Sequence, residues 1–157
     1  MVGSFASCWA KTASNNQPGI SVRDHCLNVG CVAEALLALL PSHLKELLPP
    51  GAATLAALHD IGKVSPGFQA KCPAWLVKYN IQPASVAGCE NDHAKISQFT
   101  VQGRIADSLR FWAAVIGAHH GKIKGDRLTS IAETNQAVWA VERRLLVEDT
   151  LPPGPTA

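Results

Sequence analysis

Apolar residues recur at helical spacing in several separate stretches of the chain. The first stretch predicts an amphipathic helix from Val22 to Leu40, which ends because Pro41 cannot continue the backbone hydrogen bonds. A second helix is predicted from Ala52 to Asp60, after the Pro49-Pro50-Gly51 break, with Gly62 at the position of a C-capping glycine. Both patterns indicate helices with one apolar face.

The middle of the chain predicts shorter helices. Ser65-Pro66 is typical of a helix start, with an N-cap followed by proline in the first turn, and Trp75 to Tyr79 predicts a further turn. Ile81 to Glu90 has no clear period and is expected to be a loop. Asp92 is placed to cap a helix with apolar or ligand residues at His93, Ile96, Phe99 and Ile105.

The last third predicts two more helices. Asp107 or Ser108 would cap the first, whose buried face would hold Leu109, Trp112, Ala113 and Ile116, and Gly121 would terminate it. The Ser130 to Glu133 stretch matches a capping box and predicts the start of a last long helix. Its apolar positions are Ile131, Val138, Trp139, Val141, Leu145 and Leu146, and the prolines after Leu151 stop it. No pair of strands is indicated, so the predicted fold class is all-α.

Composition supports one compact domain spanning residues 1–157. Apolar residues make up 47% of the chain and charged residues 17%, which is typical of a globular protein. The net charge of +2 neither indicates nor excludes a nucleic-acid partner. Five cysteines without a CxxC pair and without a secretory segment favour buried thiols in the cytoplasm. No apolar run reaches the roughly 18–20 residues of a membrane-spanning helix, so no membrane partner is expected.

Five of the six histidines, together with one aspartate, form a pattern typical of a metal site. The candidate ligands are His25, His59, Asp60, His93, His119 and His120. Imidazole binds iron, nickel, cobalt, zinc and manganese, and a carboxylate can bridge two ions. Only His43 falls outside this set. The pattern predicts a metal-dependent phosphoester hydrolase.

The two adjacent pairs, His59-Asp60 and His119-His120, are each predicted at the end of a helix. Neighbouring side chains on a helix point about 100 degrees apart, so both can serve one site only where the backbone turns away. The glycine after each pair is expected to supply that turn. Four helices would then deliver ligands to the centre of a bundle.

These residues resemble the HD nuclease domain of Cas3, the effector nuclease-helicase of type I CRISPR systems. The resemblance rests on the order H…HD…H…HH, on the string HDIGKVSPGFQ from His59 to Gln69, and on Trp9-Ala10-Lys11. It covers the chain from Trp9 to about Leu146. It implies an HD-domain helical bundle with a metal site at its centre that cuts single-stranded DNA.

The resemblance also implies roles for individual residues. His25, His59 and Asp60 would hold one divalent ion, with Asp60 bridging to a second ion held by His93, His119 and His120. One or two ions of Mn, Fe, Ni or Co are expected, and Mg is an alternative. Asp60 and Lys63 would be the catalytic residues, because Lys63 would approach the scissile phosphate.

One departure from the family pattern concerns a further aspartate, which the family places on a helix well beyond the double histidine. Asp149 is the only late candidate, and it lacks the expected context. We therefore interpret the chain as an HD domain shortened at its C-terminus, without a helicase domain, since no G-x-x-x-x-G-K-[ST] loop is present. The expected partners are single-stranded DNA, a type I surveillance complex and a Cas3 helicase domain in cis or in trans. Missing helices would expose apolar surface that a second copy could cover in a homodimer.

Two other functions stay open from the sequence. One is a nucleotide phosphohydrolase of the wider HD superfamily, and the other is a catalytically incomplete fragment that acts as a binding module. Lys63 could be only a favourable charge at a helix end, and Phe68 with Gln69 could be ordinary core and surface residues. Lys122, Lys124 and Arg127 form a small basic loop that is either solvated or in contact with phosphate. The four tryptophans are expected in the core or along a groove, with Trp75 the first candidate for base stacking.

Overall fold

The computed structural model describes residues 4–104 and 110–150, and within these ranges the chain is helical. No strand is present in the described ranges, where the only β-type pairings are isolated bridges between Trp9 and Ser21 and between Thr12 and Pro18. The predicted all-α class is confirmed. The α-helices are α1 (Val22–Leu39), α2 (Ser42–Lys45), α3 (Ala52–Ala57), α4 (Pro66–Gln69), α5 (Pro73–Lys78), α6 (His93–Gln102), α7 (Arg110–Gly117) and α8 (Gln136–Thr150). Three 3₁₀-helices cover Phe5–Ser7, Leu58–Lys63 and Pro83–Val86.

Helix α1 begins and ends close to its predicted limits. The Ser21 hydroxyl accepts a hydrogen bond from the Asp24 backbone N–H and so caps the first turn. The predicted apolar stripe is buried only at its start, where Val22 and Cys26 pack in the core. Further along the same helix, Leu36 is 59% exposed. The predicted helix is thus present, but its apolar stripe is covered only in the first half of α1.

The second predicted helix changes type before it reaches the His-Asp pair. Helix α3 ends at Ala57, and the chain continues as the 3₁₀-helix Leu58–Lys63, called here the HD segment. Gly62 lies inside this segment and does not cap it, so that prediction was wrong. A Cβ atom on Gly62 would lie 2.0 Å from the His93 carbonyl oxygen. Glycine at this position allows the HD segment to lie directly against α6.

The predicted starts of the central helices are confirmed. Ser65 caps α4 by accepting from the Phe68 backbone N–H, and Asp92 caps α6 by accepting from the N–H groups of Ala94 and Lys95. The segment expected to be a loop contains a single 3₁₀ turn, Pro83–Val86. Trp75 is 1% exposed and donates its indole N–H to the Ser7 carbonyl. Trp75 is therefore a core residue and offers no stacking face.

Helix α7 carries the predicted apolar residues and ends just before the histidine pair. Ala113 and Ile116 are buried, and the helix ends at Gly117. His119 and His120 lie in the turn that follows. Gly121 adopts a φ of 79°, a left-handed conformation that glycine tolerates without strain. The positions predicted before this helix (Ile105, Asp107, Ser108 and Leu109) lie outside the described residues, as do the prolines after Leu151.

The predicted capping box at Ser130–Glu133 was wrong. Helix α8 begins only at Gln136, and Glu133 instead forms a buried ion pair with Arg143. The buried face of α8 consists of Trp139, Arg143 and Leu146. Val138, Val141 and Leu145, which were predicted to be apolar core positions, are 38–44% exposed. Glu133 pairs with Arg143, ten positions later, and therefore does not cap the start of a helix.

The core lies between the N-terminal segment, the HD segment, α6 and α8. Its members include Trp9, Cys26, Ile61, Trp75 and Leu146. The HD segment packs mainly against α6 and also contacts α1, α7 and α8, so it lies inside the bundle. No helix in the described part of the chain is both long and apolar enough to cross a membrane.

Candidate metal centre

Asp60 lies at the middle of the candidate site, and its carboxylate faces ligands on both sides. The side chain is nearly fully buried, with the residue 4% exposed. Its Oδ2 lies 2.8 Å from His25 Nε2, 3.2 Å from His59 Nε2 and 2.7 Å from Lys63 Nζ. One carboxylate oxygen is thus surrounded by residues from α1 and from the HD segment itself.

The second carboxylate oxygen faces a different set of histidines. Asp60 Oδ1 lies 3.1 Å from His93 Nε2, at the start of α6, and 3.5 Å from His119 Nε2, after α7. His120 completes this set, because its Nε2 lies 3.0 Å from His93 Nε2. The two oxygens of Asp60 therefore separate the ligands into two groups.

Each group of three has the spacing of a metal site. The ligand atoms of His25, His59 and Asp60 lie within 4.8 Å of one another, and so do those of His93, His119 and His120. All six predicted metal ligands are brought together, and they come from four separate elements as expected. Three imidazoles, or two imidazoles and a carboxylate, are a donor set that suits first-row transition metals.

The rings of His59 and His119 are oriented by the same kind of hydrogen bond to the backbone. Nδ1 of His59 lies 2.8 Å from the Ala56 carbonyl oxygen, and Nδ1 of His119 lies 2.6 Å from the Ile116 carbonyl oxygen. A carbonyl only accepts, so Nδ1 carries the proton and donates in both residues. Carbonyls at a helix end lack partners within the helix, which explains why each histidine bonds the residue three positions back. Nε2 is left facing Asp60, in the orientation that metal-binding histidines commonly have.

Two buried atoms at the centre lack a hydrogen-bond partner, and both fit a metal ion. These are Asp60 Oδ1 and His119 Nε2, which face each other at 3.5 Å. Because the His119 proton is on Nδ1, a lone pair on His119 Nε2 faces a lone pair on Asp60 Oδ1. A cation bound between these two atoms would interact favourably with both. The residues present therefore fit a divalent ion.

The electrostatics of the site also favour positive charge next to Asp60. Burial opposes ionisation of Asp60, but the surrounding imidazoles of His119, His59 and His93 and the Lys63 ammonium outweigh it and hold the pKa of Asp60 well below its ordinary value. Burial likewise lowers the pKa of His25, and this effect exceeds the opposing attraction of Asp60. His25 is therefore kept neutral near pH 7, the state in which imidazole binds a metal.

His119 and His120 differ in their acid–base behaviour. Burial acts to lower the pKa of His119, but the nearby Asp60 carboxylate and the hydrogen bond to the Ile116 carbonyl raise it above its ordinary value. For His120, burial and then the neighbouring imidazoles of His119 and His93 lower the pKa. The position next to His119 Nε2 thus favours a positive charge, whether a proton or a metal ion supplies it.

Lys63 enters the site from the end of the HD segment. Its Nζ lies 2.7 Å from Asp60 Oδ2 and donates to the Ala10 carbonyl at 3.1 Å, and the residue is 7% exposed. The ammonium group also lies 5.4 Å from the centre of the Phe68 ring. Lys63 therefore places a buried positive charge beside the Asp60 carboxylate.

Gln69, which the sequence singled out only as part of the string from His59 to Gln69, supports the backbone around Lys63. Its side-chain NH₂ donates to the carbonyls of Trp9 and Lys63, at 3.0 and 2.8 Å, and its side-chain oxygen accepts from the Trp9 backbone N–H at 3.1 Å. Gln69 is fully buried. It connects the N-terminal segment to the backbone of Lys63, so the Phe-Gln pair belongs to the support of the site.

Other candidate residues lie apart from the two ligand groups. Asp149 forms an ion pair with Arg23 on the surface, and His43 lies exposed on α2. In the predicted basic loop, Lys124 pairs with Asp92 at 2.6 Å, while Lys122 and Arg127 are exposed. No described late carboxylate therefore joins the group of His25, His59 and Asp60.

Comparison with known proteins agrees with this geometry. A family model described as "Cas3, HD domain" matches residues 9–151. The chain is also 31% identical over 170 aligned positions to a protein of Thermus thermophilus described as "CRISPR-associated endonuclease/helicase Cas3". That alignment covers 90% of this chain and 18% of the relative, so the chain spans less than a fifth of the relative's length. No solved structure matches significantly.

Proposed function

The chain belongs to the Cas3 HD domain family, and from this membership we propose that it is a metal-dependent nuclease that cleaves single-stranded DNA in type I CRISPR interference. The observation that carries the proposal is the position of Asp60, whose two oxygens each face one group of histidines. A pair of ions bridged by one carboxylate is the arrangement that many phosphodiester-cleaving enzymes use.

The ligand groups and Lys63 have distinct tasks in this proposal. Divalent ions held by the two groups would supply activation of water and neutralisation of charge on the phosphate. Asp60 stays ionised because its hydrogen bonds lower its pKa, so it remains available as a bridging ligand. Lys63 adds a positive charge at the same place, which would stabilise the extra negative charge that the phosphate gains in the transition state.

Cleavage of circular single-stranded DNA is the test of this function. We expect the chain to linearise the circle with Mn²⁺, Ni²⁺ or Co²⁺, and we expect Asp60→Asn to lower the rate by at least about 100-fold, as loss of a main electrostatic group does. Asp126→Asn is the matched control, since Asp126 is exposed and lies outside both ligand groups. Cleavage that persists in Asp60→Asn would contradict the proposal. Release of phosphate from nucleoside monophosphates instead would favour a nucleotide phosphohydrolase.

The partners in this proposal are a Cas3 helicase domain, in cis or in trans, and a type I surveillance complex that displaces a DNA strand. Self-association is a further proposal, supported by exposed apolar residues at Val32, Leu36 and Leu39 on α1 and at Leu47 after α2. Sedimentation at increasing concentration tests it. A strict monomer at high concentration would count against a homodimer.

A further inference from the structure

An apolar groove runs beside the candidate metal centre, between α3 and α7. Its volume is about 240 Å³, and it is open to solvent. Leu55 and Ala56 form one wall, and Trp112 and Ile116 form the other. Among the described residues that line it, only His59 and His119 carry ionisable side chains, and both belong to the ligand groups.

The groove and the metal ligands are fixed to the same two helix ends. Ala56 and Ile116 line the groove, and their carbonyls accept the hydrogen bonds that orient His59 and His119. The two imidazole rings meet there edge to face, with ring centres 5.1 Å apart. A molecule whose phosphate lies at the ligand groups would therefore reach the groove with a group attached to that phosphate.

The side chains that line the groove indicate what kind of chemical group it would bind. The lining offers no cationic side chain apart from the two histidines, so it has nothing to pair with a further phosphate. Pockets for drug-sized ligands usually measure about 300–1,000 Å³, so this groove suits one ring system and not a whole nucleotide. An aromatic wall next to aliphatic side chains favours a flat ring with two apolar faces.

Trp112 is the tryptophan that is placed to stack on such a ring. It is partly exposed on α7 and lines the groove. Trp9, Trp75 and Trp139 are at most 7% exposed, and each belongs to the core. We propose that the groove is a nucleobase subsite, in which Trp112 stacks on the base of a nucleotide next to the cleaved phosphodiester. This inference rests on the proposed nuclease function and adds where the strand lies.

The subsite should accept any base. Stacking on an aromatic side chain tolerates sequence because every base has a π-face, and the groove walls present few groups that could read the edges of a base. Val77 on α5 is 81% exposed and does not line the groove, so it serves as the control for loss of an exposed apolar side chain.

The first experiment measures binding and not activity. Short single strands with one 2-aminopurine moved stepwise are mixed with the Mn²⁺-loaded chain, and fluorescence is read in the first seconds. We expect quenching at one or two positions, and about 10-fold weaker binding with Trp112→Ala but not with Trp112→Phe or Val77→Ala. Ala52→Phe, which fills the groove from α3, should also weaken binding. Equal quenching and binding in all variants would overturn the subsite.

The second experiment separates failure of the subsite from failure of the function. The same strands carry one abasic residue in place of 2-aminopurine, and cleavage is measured. Cleavage that slows about 10-fold at one abasic position, with no further loss in Trp112→Ala, supports both proposals. Normal cleavage at every abasic position overturns the subsite and leaves the nuclease intact. Quenching that depends on Trp112, in the absence of any cleavage, would support base binding in the groove and contradict the nuclease function.

Discussion

The side-chain amide of Gln69 bonds two backbone segments at once. It accepts from the Trp9 N–H and donates to the Trp9 and Lys63 carbonyls, in a site without solvent. A carboxamide matches these partners because it offers both donors and an acceptor on one group. The position of Lys63 therefore depends on a residue that has no contact with the ligand groups themselves.

Gln69→Met keeps the length of the side chain but removes these hydrogen bonds. Three buried backbone groups would lose a hydrogen bond, although the Lys63 carbonyl keeps the one from the Ser65 N–H, so we expect the free energy of unfolding to fall by about 3 kcal/mol. Urea unfolding measures this loss. Gln17→Met, at an exposed position, should change stability by less than about 0.5 kcal/mol. A loss as small as that of the control would mean that water replaces the amide.

Asp60 and His120 should differ in how many ions they affect. Asp60 faces both ligand groups, whereas His120 belongs to one. We expect Asp60→Asn to weaken both Mn²⁺ sites by at least about 10-fold, and His120→Asn to weaken one. Equilibrium dialysis with Mn²⁺ counts the bound ions. Two unaffected sites in Asp60→Asn would exclude a bridging role.

The ligands could be found from the sequence because their residue types and spacing are informative on their own. The supporting groups could not, since backbone carbonyls carry no identity in a sequence. Ala56 and Ile116 orient two histidines only because α3 and α7 end where they do. Gln69 is likewise indistinguishable from a surface glutamine until the N-terminal segment packs over it.

At the scale of elements, the close approach of the HD segment to α6 determines where the two ligand groups meet. Gly62 donates its N–H to the Ser97 hydroxyl at 2.9 Å, and His93 begins the same helix that Ser97 occupies. The sequence indicated a glycine with a structural task here. It predicted the wrong task, because a capping glycine and a close-contact glycine look the same without the neighbouring element.

Gly62→Ala should push these two elements apart. The added Cβ would lie 2.0 Å from the His93 carbonyl and 2.6 Å from the Ser97 nitrogen, both backbone atoms that cannot rotate away. We expect at least about 3 kcal/mol of destabilisation, measured by urea unfolding, together with weaker Mn²⁺ binding. Gly103→Ala is the control, since its Cβ would meet only ordinary contacts at 3.8 Å. Similar stability of both variants would show that α6 can shift freely.

The helices with a strong local start signal were predicted best. Asp92 and Ser65 cap helices whose first turns need only those side chains. The failed prediction at Ser130–Glu133 has a long-range cause, because Glu133 pairs with Arg143 in the core. The Glu133 side chain cannot both cap a helix start and pair with Arg143. The ion pair forms because a buried arginine without a counter-ion is costly.

At the scale of the whole molecule, Arg143 joins α8 to the back of the metal centre. One guanidinium nitrogen donates to the Val64 carbonyl at 2.9 Å and to Glu133 at 2.7 Å, and the second donates to Glu133 at 2.8 Å. Arg143 is 2% exposed. The residue directly after the HD segment is therefore held by the last described helix.

Glu133→Gln should be more harmful than removal of both charges. The single change leaves the buried guanidinium without its counter-ion, which typically costs about 3–5 kcal/mol. The double variant Glu133→Leu with Arg143→Met removes both charges, and we expect it to recover part of this loss in urea unfolding. A double variant that is less stable than Glu133→Gln would show that the bond to Val64 dominates.

The all-α fold and the six candidate metal ligands could be predicted from periodicity and residue type. The exposure of the second half of α1 could not. Periodicity identifies an apolar face without showing what covers it. Leu36 continues the stripe of Val22 and Cys26, yet it is 59% exposed.

The contacts of α8 have a consequence for the order in which the chain folds. The Phe5 N–H donates to Glu142 across 137 positions, and Arg143 reaches Val64 across 79. Ribosomes release the N-terminus first, so all six ligands leave the exit tunnel before the arginine that secures the loop behind them. Contacts between such distant positions also slow the search for the native state. A nascent chain can thus present its histidines to cellular ions before α8 packs against the rest of the bundle.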